Sequence, residues 1–395
     1  MKSFAPNAGK SRIIAGSLIF FSTLIALIGC EIILRQTFLQ NYYLRPPHFS
    51  TVFKPNHQIM PGIIGPSEFV TNSKGIRGDE LTPAHTYRIL AIGGSTTECL
   101  YLDQAETWTQ LLQDSLNKSA FNGKLWIGNA GVSGHNTRHH LTAMQYLPLE
   151  KMRIDAILVM AGVNDFSVRL SRGENYDPDF LARPDADAAL LHDTFRGSLY
   201  ADPDMPLFKR TAIWHVMRKL KHIAGQEKVQ DKTGEIYLTW RKHRSEAKTI
   251  LNELPDLSAA LEEYARNINR MIDLARQKSI QLIFMTQPSM WRADLTEELE
   301  SLLWFGGTGD FQRQSGNAYY SPGALARGME KYNEVLLEIC RKRKVACIDL
   351  ASILPKNASV FYDDVHFNEN GARKVADILA KCFLGKLLNA TDSGS

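Results

Sequence analysis

A serine hydroxyl attacks a carbonyl only when a base removes its proton, and the base serves only when a third group fixes which ring nitrogen faces the serine. Four short, widely separated segments hold such parts: Gly93-Gly94-Ser95-Thr96, Asn129-Ala130-Gly131-Val132-Ser133-Gly134, Gly162-Val163-Asn164-Asp165 and Asp363-Asp364-Val365-His366. Ser95 is the candidate nucleophile and His366 its base. Two residues separate Asp363 from His366, so a tight turn lets the carboxylate accept the Nδ1 proton and leaves Nε2 for the serine. Gly134 and Asn164 are candidate donors to a developing oxyanion. A glycine lets its amide approach without a Cβ in the way, and an asparagine side chain is a neutral donor that does not titrate. Gly131 is a second possible oxyanion glycine, and Asp364 a second possible orienting acid. Each segment alone reads as turn chemistry; their order and strand context make the set informative.

The elements around them share one rhythm. Arg88-Ile89-Leu90-Ala91-Ile92 reads as a buried strand and runs directly into the glycines before Ser95. Trp108, Leu111, Leu112 and Leu116 then mark a helix. The runs Leu125-Trp126-Ile127 and Ala156-Ile157-Leu158-Val159-Met160 lead into the segments carrying Gly134 and Asn164, and Val345 to Leu350 precedes the Asp363 loop. Asn368 is placed to cap a helix whose inward face is Ala372, Val375, Ala376 and Leu379. Strand, loop and helix alternate as in open α/β sheets, where ligands sit outside the carboxyl ends of the strands. All four segments therefore belong to one rim.

With these residues in this order, the chain resembles the SGNH, or GDSL-type, hydrolase family over roughly residues 86 to 385, interrupted by one long insertion. The family's catalytic serine matches Ser95, its second-block glycine Gly134, its third-block asparagine Asn164, and its last-block Asp and His match Asp363 and His366. Many members have Gly-Asp-Ser where this chain has Gly93-Gly94-Ser95, so an acidic brace of the nucleophile turn is missing. The resemblance implies a three-layer α/β/α sandwich around a mostly parallel, flavodoxin-like sheet. It implies acyl-ester hydrolysis through an acyl-enzyme on Ser95, with Ser95, Gly134 and Asn164 forming the oxyanion hole, and no metal or organic cofactor. An O-acyl or O-acetyl group on an envelope carbohydrate is the expected substrate, ahead of a lipid. Two alternatives stand beside it: an O-acyltransferase using the same residues on an extracytoplasmic polysaccharide, and a non-catalytic envelope or glycan-binding protein.

From Ile13 to Leu34 the residues are almost all apolar, with Glu31 near the far end; about 20 such residues span a bilayer as a helix. Lys2, Lys10 and Arg12 precede the run and predict a cytoplasmic residue 1–12 segment, a 13–34 anchor and a body on the periplasmic side of the inner membrane. A cleaved signal is a rival reading, and Leu27-Ile28-Gly29-Cys30 resembles a lipobox that would make Cys30 the lipidated residue. All three readings export the body.

Length and charge fit one exported α/β domain. The 395 residues leave room beyond the anchor for one large domain over 87–388, preceded by an irregular stalk over 35–86. A net charge of +4 is too small to argue for nucleic acid. The five cysteines, Cys30, Cys99, Cys340, Cys347 and Cys382, form no disulfide pattern. His135, His139 and His140 invite a metal reading, but no carboxylate or cysteine completes a ligand set. The insertion, about 166–254, contains a stripe of Phe208, Ile213, Trp214, Met217 and Leu220 among Lys209, Arg210, Arg218, Lys219 and Lys221. A lid helix packed on the domain, or a membrane-surface or anionic-glycan contact, accounts for that stripe. Beyond it, Trp291, Trp304 and Phe305 lie on a loop expected at the active-site rim.

Overall fold

Five parallel strands form the centre of the structure, a computed structural model that describes residues 8–38, 42–195, 206–214, 216–217 and 232–392. They are β1 (Tyr87–Gly93), β2 (Leu125–Gly131), β3 (Ala156–Met160), β4 (Gln281–Met285) and β5 (Ala346–Ile348), in the sheet order β2-β1-β3-β4-β5. Strands covered on both faces read as unbroken apolar runs, and Ile89 to Ile92 and Ala156 to Met160 are inaccessible to solvent. Gly93 pairs with Gly131 on one side and Met160 on the other, so β1, β2 and β3 end level. The chain leaves β1 toward β2 and then returns past it to β3. That reversal opens a crevice between the β1 and β3 ends, where doubly wound sheets bind ligands.

Helices cover both faces of the sheet. Helices α2 (Trp108–Leu116) and α8 (Glu369–Asp392) pack on each other. On the opposite side, α6 (Ser258–Gln277) packs against α3 (Thr137–Tyr146), α4 (Val163–Arg172) and α7 (Pro322–Arg343). The helical spacing of Tyr264, Ile268, Met271 and Ala275 is matched by their complete burial. Asn368 caps α8 as expected, its Oδ1 accepting the Gly371 amide at 2.9 Å.

Two segments differ from the sequence reading. The expected insertion boundary at 166 falls inside α4, where Phe166 is fully buried and packs near Trp291 and Tyr332, so this helix is core. The expected irregular stalk contains an antiparallel ribbon, Ser50–Phe53 with Ser67–Val70, and buries Phe53, Ile59, Met60, Ile63, Phe69 and Ile76 within the body. Its far end adds to the sheet edge, since Arg77 and Asn129 exchange backbone hydrogen bonds at 3.0 and 2.9 Å. Aromatic and aliphatic residues spaced among prolines and glycines carry no periodicity, which hides such a ribbon from pattern reading.

The described residues within 1–42 and 198–228 form a separate compact unit. Within it, α1 (Ala8–Phe38) contains a stretch, Ile14–Gln36, that is long and apolar enough to cross a membrane, with a mean hydropathy of 2.3. Glu31, the acid in that stretch, has polar partners: its carboxylate accepts the amides of Ala212 and Ile213 at 2.8 and 3.1 Å and pairs with Arg35 at 2.7 Å. Of the described stripe residues, Phe208 and Met217 are 60% and 64% exposed, whereas Ile213 and Trp214 are half-buried. Leu220, Arg218, Lys219 and Lys221 lie outside the described residues, as does Lys2.

The β2 and β3 loops are joined by a buried acid. Asp165, in the first turn of α4, accepts the Thr137 amide and hydroxyl at the start of α3. Burial pushes the Asp165 carboxyl up from 3.8 to about 7, against the lowering effect of those Thr137 hydrogen bonds. Below both values the two states are equally protonated. As pH rises, the unfolded chain ionises first, and stability drains between about 4 and about 7. Asp165→Asn removes this drain, so its urea midpoint should gain on wild type between pH 4 and pH 8; parallel pH profiles would contradict the assignment.

Candidate active site

The four segments converge at the carboxyl ends of β1, β2 and β3 and on the loop after β5. Ser95 opens a single helical turn, Ser95–Glu98, that leaves β1 at once. Its last carbonyls are tied down by side chains. Arg77 donates to the carbonyls of Glu98 and Cys99, both at 2.7 Å, and of Leu102 at 2.6 Å, while Asn129 donates to Thr97 at 2.6 Å. Trp108 adds a bond from its indole to the Thr96 carbonyl at 3.2 Å. These groups brace the turn where an acidic residue before the serine is missing. The Arg77 guanidinium is fully buried, and that burial brings its value down to about 10.

His366 reaches Ser95 across 271 residues of sequence, its Nε2 standing 2.7 Å from the serine Oγ. Its Nδ1 lies 2.7 Å from Asp363 Oδ2. The turn between the two is built by the same carboxylate, whose Oδ1 accepts the amides of Val365 and His366 at 3.0 and 2.8 Å. Trp304 supplies a fourth bond, from its indole to Oδ2 at 2.9 Å. Burial alone would raise the Asp363 carboxyl. Attraction to His366, with the hydrogen bonds from His366 and Trp304, outweighs burial and holds it below the ordinary carboxylate value.

Asp364, the alternative acid, points elsewhere. It accepts the Trp291 indole at 2.7 Å and the backbone amides of Trp304 and Phe305 at 2.7 and 3.2 Å. Burial and then the neighbouring Asp363 charge raise its value, against the pull of Arg244. It therefore clamps the aromatic loop and does not touch the histidine.

Gly134 and Asn164 face Ser95 across a solvent-open cleft of ≈ 310 Å³. Gly134 sits at φ +83, a left-handed conformation suited to glycine, with open space where a Cβ would point. The amide of Gly131, the alternative glycine, is occupied by Asn129 Oδ1 at 2.9 Å. Asn164 donates one amide hydrogen to the His135 carbonyl at 2.8 Å, which fixes the side chain and leaves its second hydrogen for another acceptor. The Ser95 amide begins its turn and so has no intrahelical acceptor. His135 stacks on His139, whose ring nitrogens face Asn136 and Asp193 at 2.8 and 2.9 Å; these histidines pack behind the rim.

One wall of the cleft is aromatic, from Trp304, Phe305 and Phe311 on the loop after β4 and from Tyr237 and Trp240 on α5 (Ile236–Ser245). Tyr237 meets the His366 ring edge-on at 6.2 Å, while Trp304 and Tyr362 stack parallel to it at 6.4 and 5.5 Å. The rest of the lining is mostly polar, with Ser133, Ser167, Ser171, Asp310 and Gln312. Sequence reasoning placed Trp304 and Phe305 at the rim but missed Tyr237 and Trp240. The available signal was an aromatic pair at helical spacing followed by Arg241 and Arg244, which lock the segment by donating to the carbonyls of Ile59, Leu302, Tyr362, Phe305 and Tyr320.

The sequence itself assigns the class. The GDSL-like Lipase/Acylhydrolase family model matches residues 91–374, and the chain belongs to that family of ester-hydrolysing enzymes. Similar solved structures include an acetyl xylan esterase, AlAXEase, at 13% identity, covering 75% of this chain and 98% of that one with a TM-score of 0.38. Another is the acetylxylan esterase Axe2 from Geobacillus stearothermophilus, at 14%, 76%, 93% and 0.36 respectively. A third is the α/β hydrolase LAE5 from the Lake Arreo metagenome, at 12%, 76%, 94% and 0.37. No curated protein matches the sequence.

Gly94 explains part of the departure from Gly-Asp-Ser. A Cβ there would lie 2.4 Å from Asn164 Nδ2 and 3.2 Å from the His135 carbonyl. Gly94→Ala should therefore displace the Asn164 amide and lower kcat by about tenfold or more, within the range set by removal of a whole oxyanion donor. Steady-state hydrolysis of p-nitrophenyl acetate checks this; an unchanged kcat would show that the two positions do not compete.

Proposed function

We propose that the protein is a serine esterase that removes O-acyl groups, acetyl foremost, from carbohydrate outside the cytoplasm. The carrying observation is the unbroken chain from Ser95 Oγ through His366 Nε2 and Nδ1 to Asp363 Oδ2, with both links at 2.7 Å. In the forward step His366 takes the Ser95 proton as Oγ bonds to the ester carbon. The carbonyl oxygen becomes an oxyanion facing the amides of Ser95 and Gly134 and the Asn164 side chain. Collapse of this intermediate breaks the bond to the alcohol oxygen, which leaves with the proton from His366. Water, deprotonated by the same histidine, then releases the carboxylic acid and restores Ser95. Asp363 stays ionised throughout and balances the imidazolium.

The cleft supports a sugar ester. Its aromatic residues offer flat apolar faces, and Ser167, Asp310 and Gln312 offer polar partners, a combination that suits a ring apolar on its faces and polar at its edges. It is open to solvent, which suits a polymer more than a long acyl chain. The stretch Ile14–Gln36 serves as the anchor, with Lys10 and Arg12 keeping the N-terminus cytoplasmic and the body extracytoplasmic.

The test is fluorophosphonate labelling of the full chain in detergent. Wild type should label and Ser95→Ala should not, while Asn164→Ala should label and lose about a hundredfold or more in kcat on p-nitrophenyl acetate. Labelling that persists in Ser95→Ala would remove the nucleophile assignment. With acetylated oligosaccharide and an added acceptor sugar, free acetate should appear ahead of acetylated acceptor; the reverse order would make the enzyme a transferase.

A further inference from the structure

The nucleophile turn carries a buried acid that the reaction above does not use. Glu98 is 1% exposed and lies three residues after Ser95. One carboxylate oxygen, Oε2, accepts the Ser133 amide at 2.7 Å and the Ser133 hydroxyl as well. The other, Oε1, is paired with the guanidinium of Arg45. Ser133 immediately precedes Gly134, which has open space where a Cβ would point. Around it the loop is held by the backbone bonds Val132 to Gly93 and His135 to Val132, both at 3.1 Å, and by Asp165 at Thr137, while the Glu98 carboxylate holds it at Ser133, directly beside Gly134.

Arg45 comes from the segment before the Ser50–Phe53 ribbon, close after the anchor in sequence. It lies over the Phe69 ring at 5.1 Å, and Arg77 lies over the same ring at 4.5 Å. The two arginines have different partners at the turn: Arg77 holds its backbone carbonyls, whereas Arg45 meets its buried charge. A carboxylate removed from water to this degree needs such a partner to stay charged and aimed.

We propose that Glu98 is a positioning residue that aims the Gly134 amide at the reacting carbonyl, and that Arg45 sets Glu98. The segment following the anchor thereby becomes part of the catalytic apparatus. This rests on the oxyanion reading of Gly134. An amide misaimed by a fraction of an ångström still binds substrate but stabilises the transition state less, so the loss belongs in kcat and not in KM.

The experiment uses the full chain in detergent with p-nitrophenyl acetate, thermal melts and fluorophosphonate labelling rates. Glu98→Gln, which keeps an acceptor but loses the charge, should lower kcat by about tenfold, and Glu98→Ala by up to about a hundredfold, each with KM within about twofold. Arg45→Met should lower kcat in the wild-type background and have little further effect on Glu98→Gln, because the two act through one bond. If Glu98→Ala unfolds, Ser133→Ala deletes only the hydroxyl donor and should give a smaller fall in kcat at unchanged melting temperature. Wild-type kcat in Glu98→Gln, or equal Arg45→Met losses in both backgrounds, would overturn the proposal while Ser95-dependent labelling stands. Labelling that survives Ser95→Ala would instead overturn the reading beneath it.

Discussion

A carboxylate with no solvent contact is costly unless each oxygen is met by donors, and the site depends on how that cost is offset at Asp363. Its two oxygens accept four hydrogen bonds, two from the backbone of its own turn, one from Trp304 and one from His366. The first two build the turn that presents the histidine. The third requires the loop after β4 to fold over the site, and Asp364 clamps that loop at Trp291, Trp304 and Phe305. The fourth fixes the tautomer that leaves Nε2 facing Ser95. Removing the charge at this point would therefore loosen the histidine, its turn and the aromatic wall together.

The sheet supplies the other half of the arrangement. Because the order is β2-β1-β3-β4-β5, the chain turns in opposite directions after β1 and β3, and Ser95 and Asn164 emerge on the two sides of the crevice. Register makes the ends coincide, with Gly93 opposite both Gly131 and Met160. The Ser95 turn can then be short, and its polar ends are tied to Arg77, Asn129 and Trp108. Rigidity at this rim comes from side chains spent on backbone carbonyls, a device repeated by Arg241 and Arg244 beneath the aromatic wall.

The residues read most directly from sequence were those whose neighbours in the chain define their setting. Ser95 and Asn164 follow apolar runs that can only be buried strands, and Asp363 and His366 are close enough to share a turn. The core strands and the amphipathic helix over Tyr264 to Ala275 were legible for the same reason. Tyr237 and Trp240 were not, because their role depends on where Arg241 and Arg244 find carbonyls more than fifty residues away. Glu98 carries no sequence signal of its own; its burial follows from the approach of Ser133 and of Arg45 from a segment without periodicity. In the sequence, the choices between Gly131 and Gly134 and between Asp363 and Asp364 rest on the spacing of the family the chain resembles. In the structure they rest on which amide and which carboxylate already have other partners.

The account stands most directly on a covalent intermediate at one hydroxyl. Rapid acid quenching of the full chain during the first turnovers of p-nitrophenyl acetate, followed by peptide mass mapping, should find an acetyl group on the Ser95 peptide. The adduct should be absent from Ser95→Ala. Turnover with no adduct on that peptide, or an adduct on a different residue, would contradict the central claim.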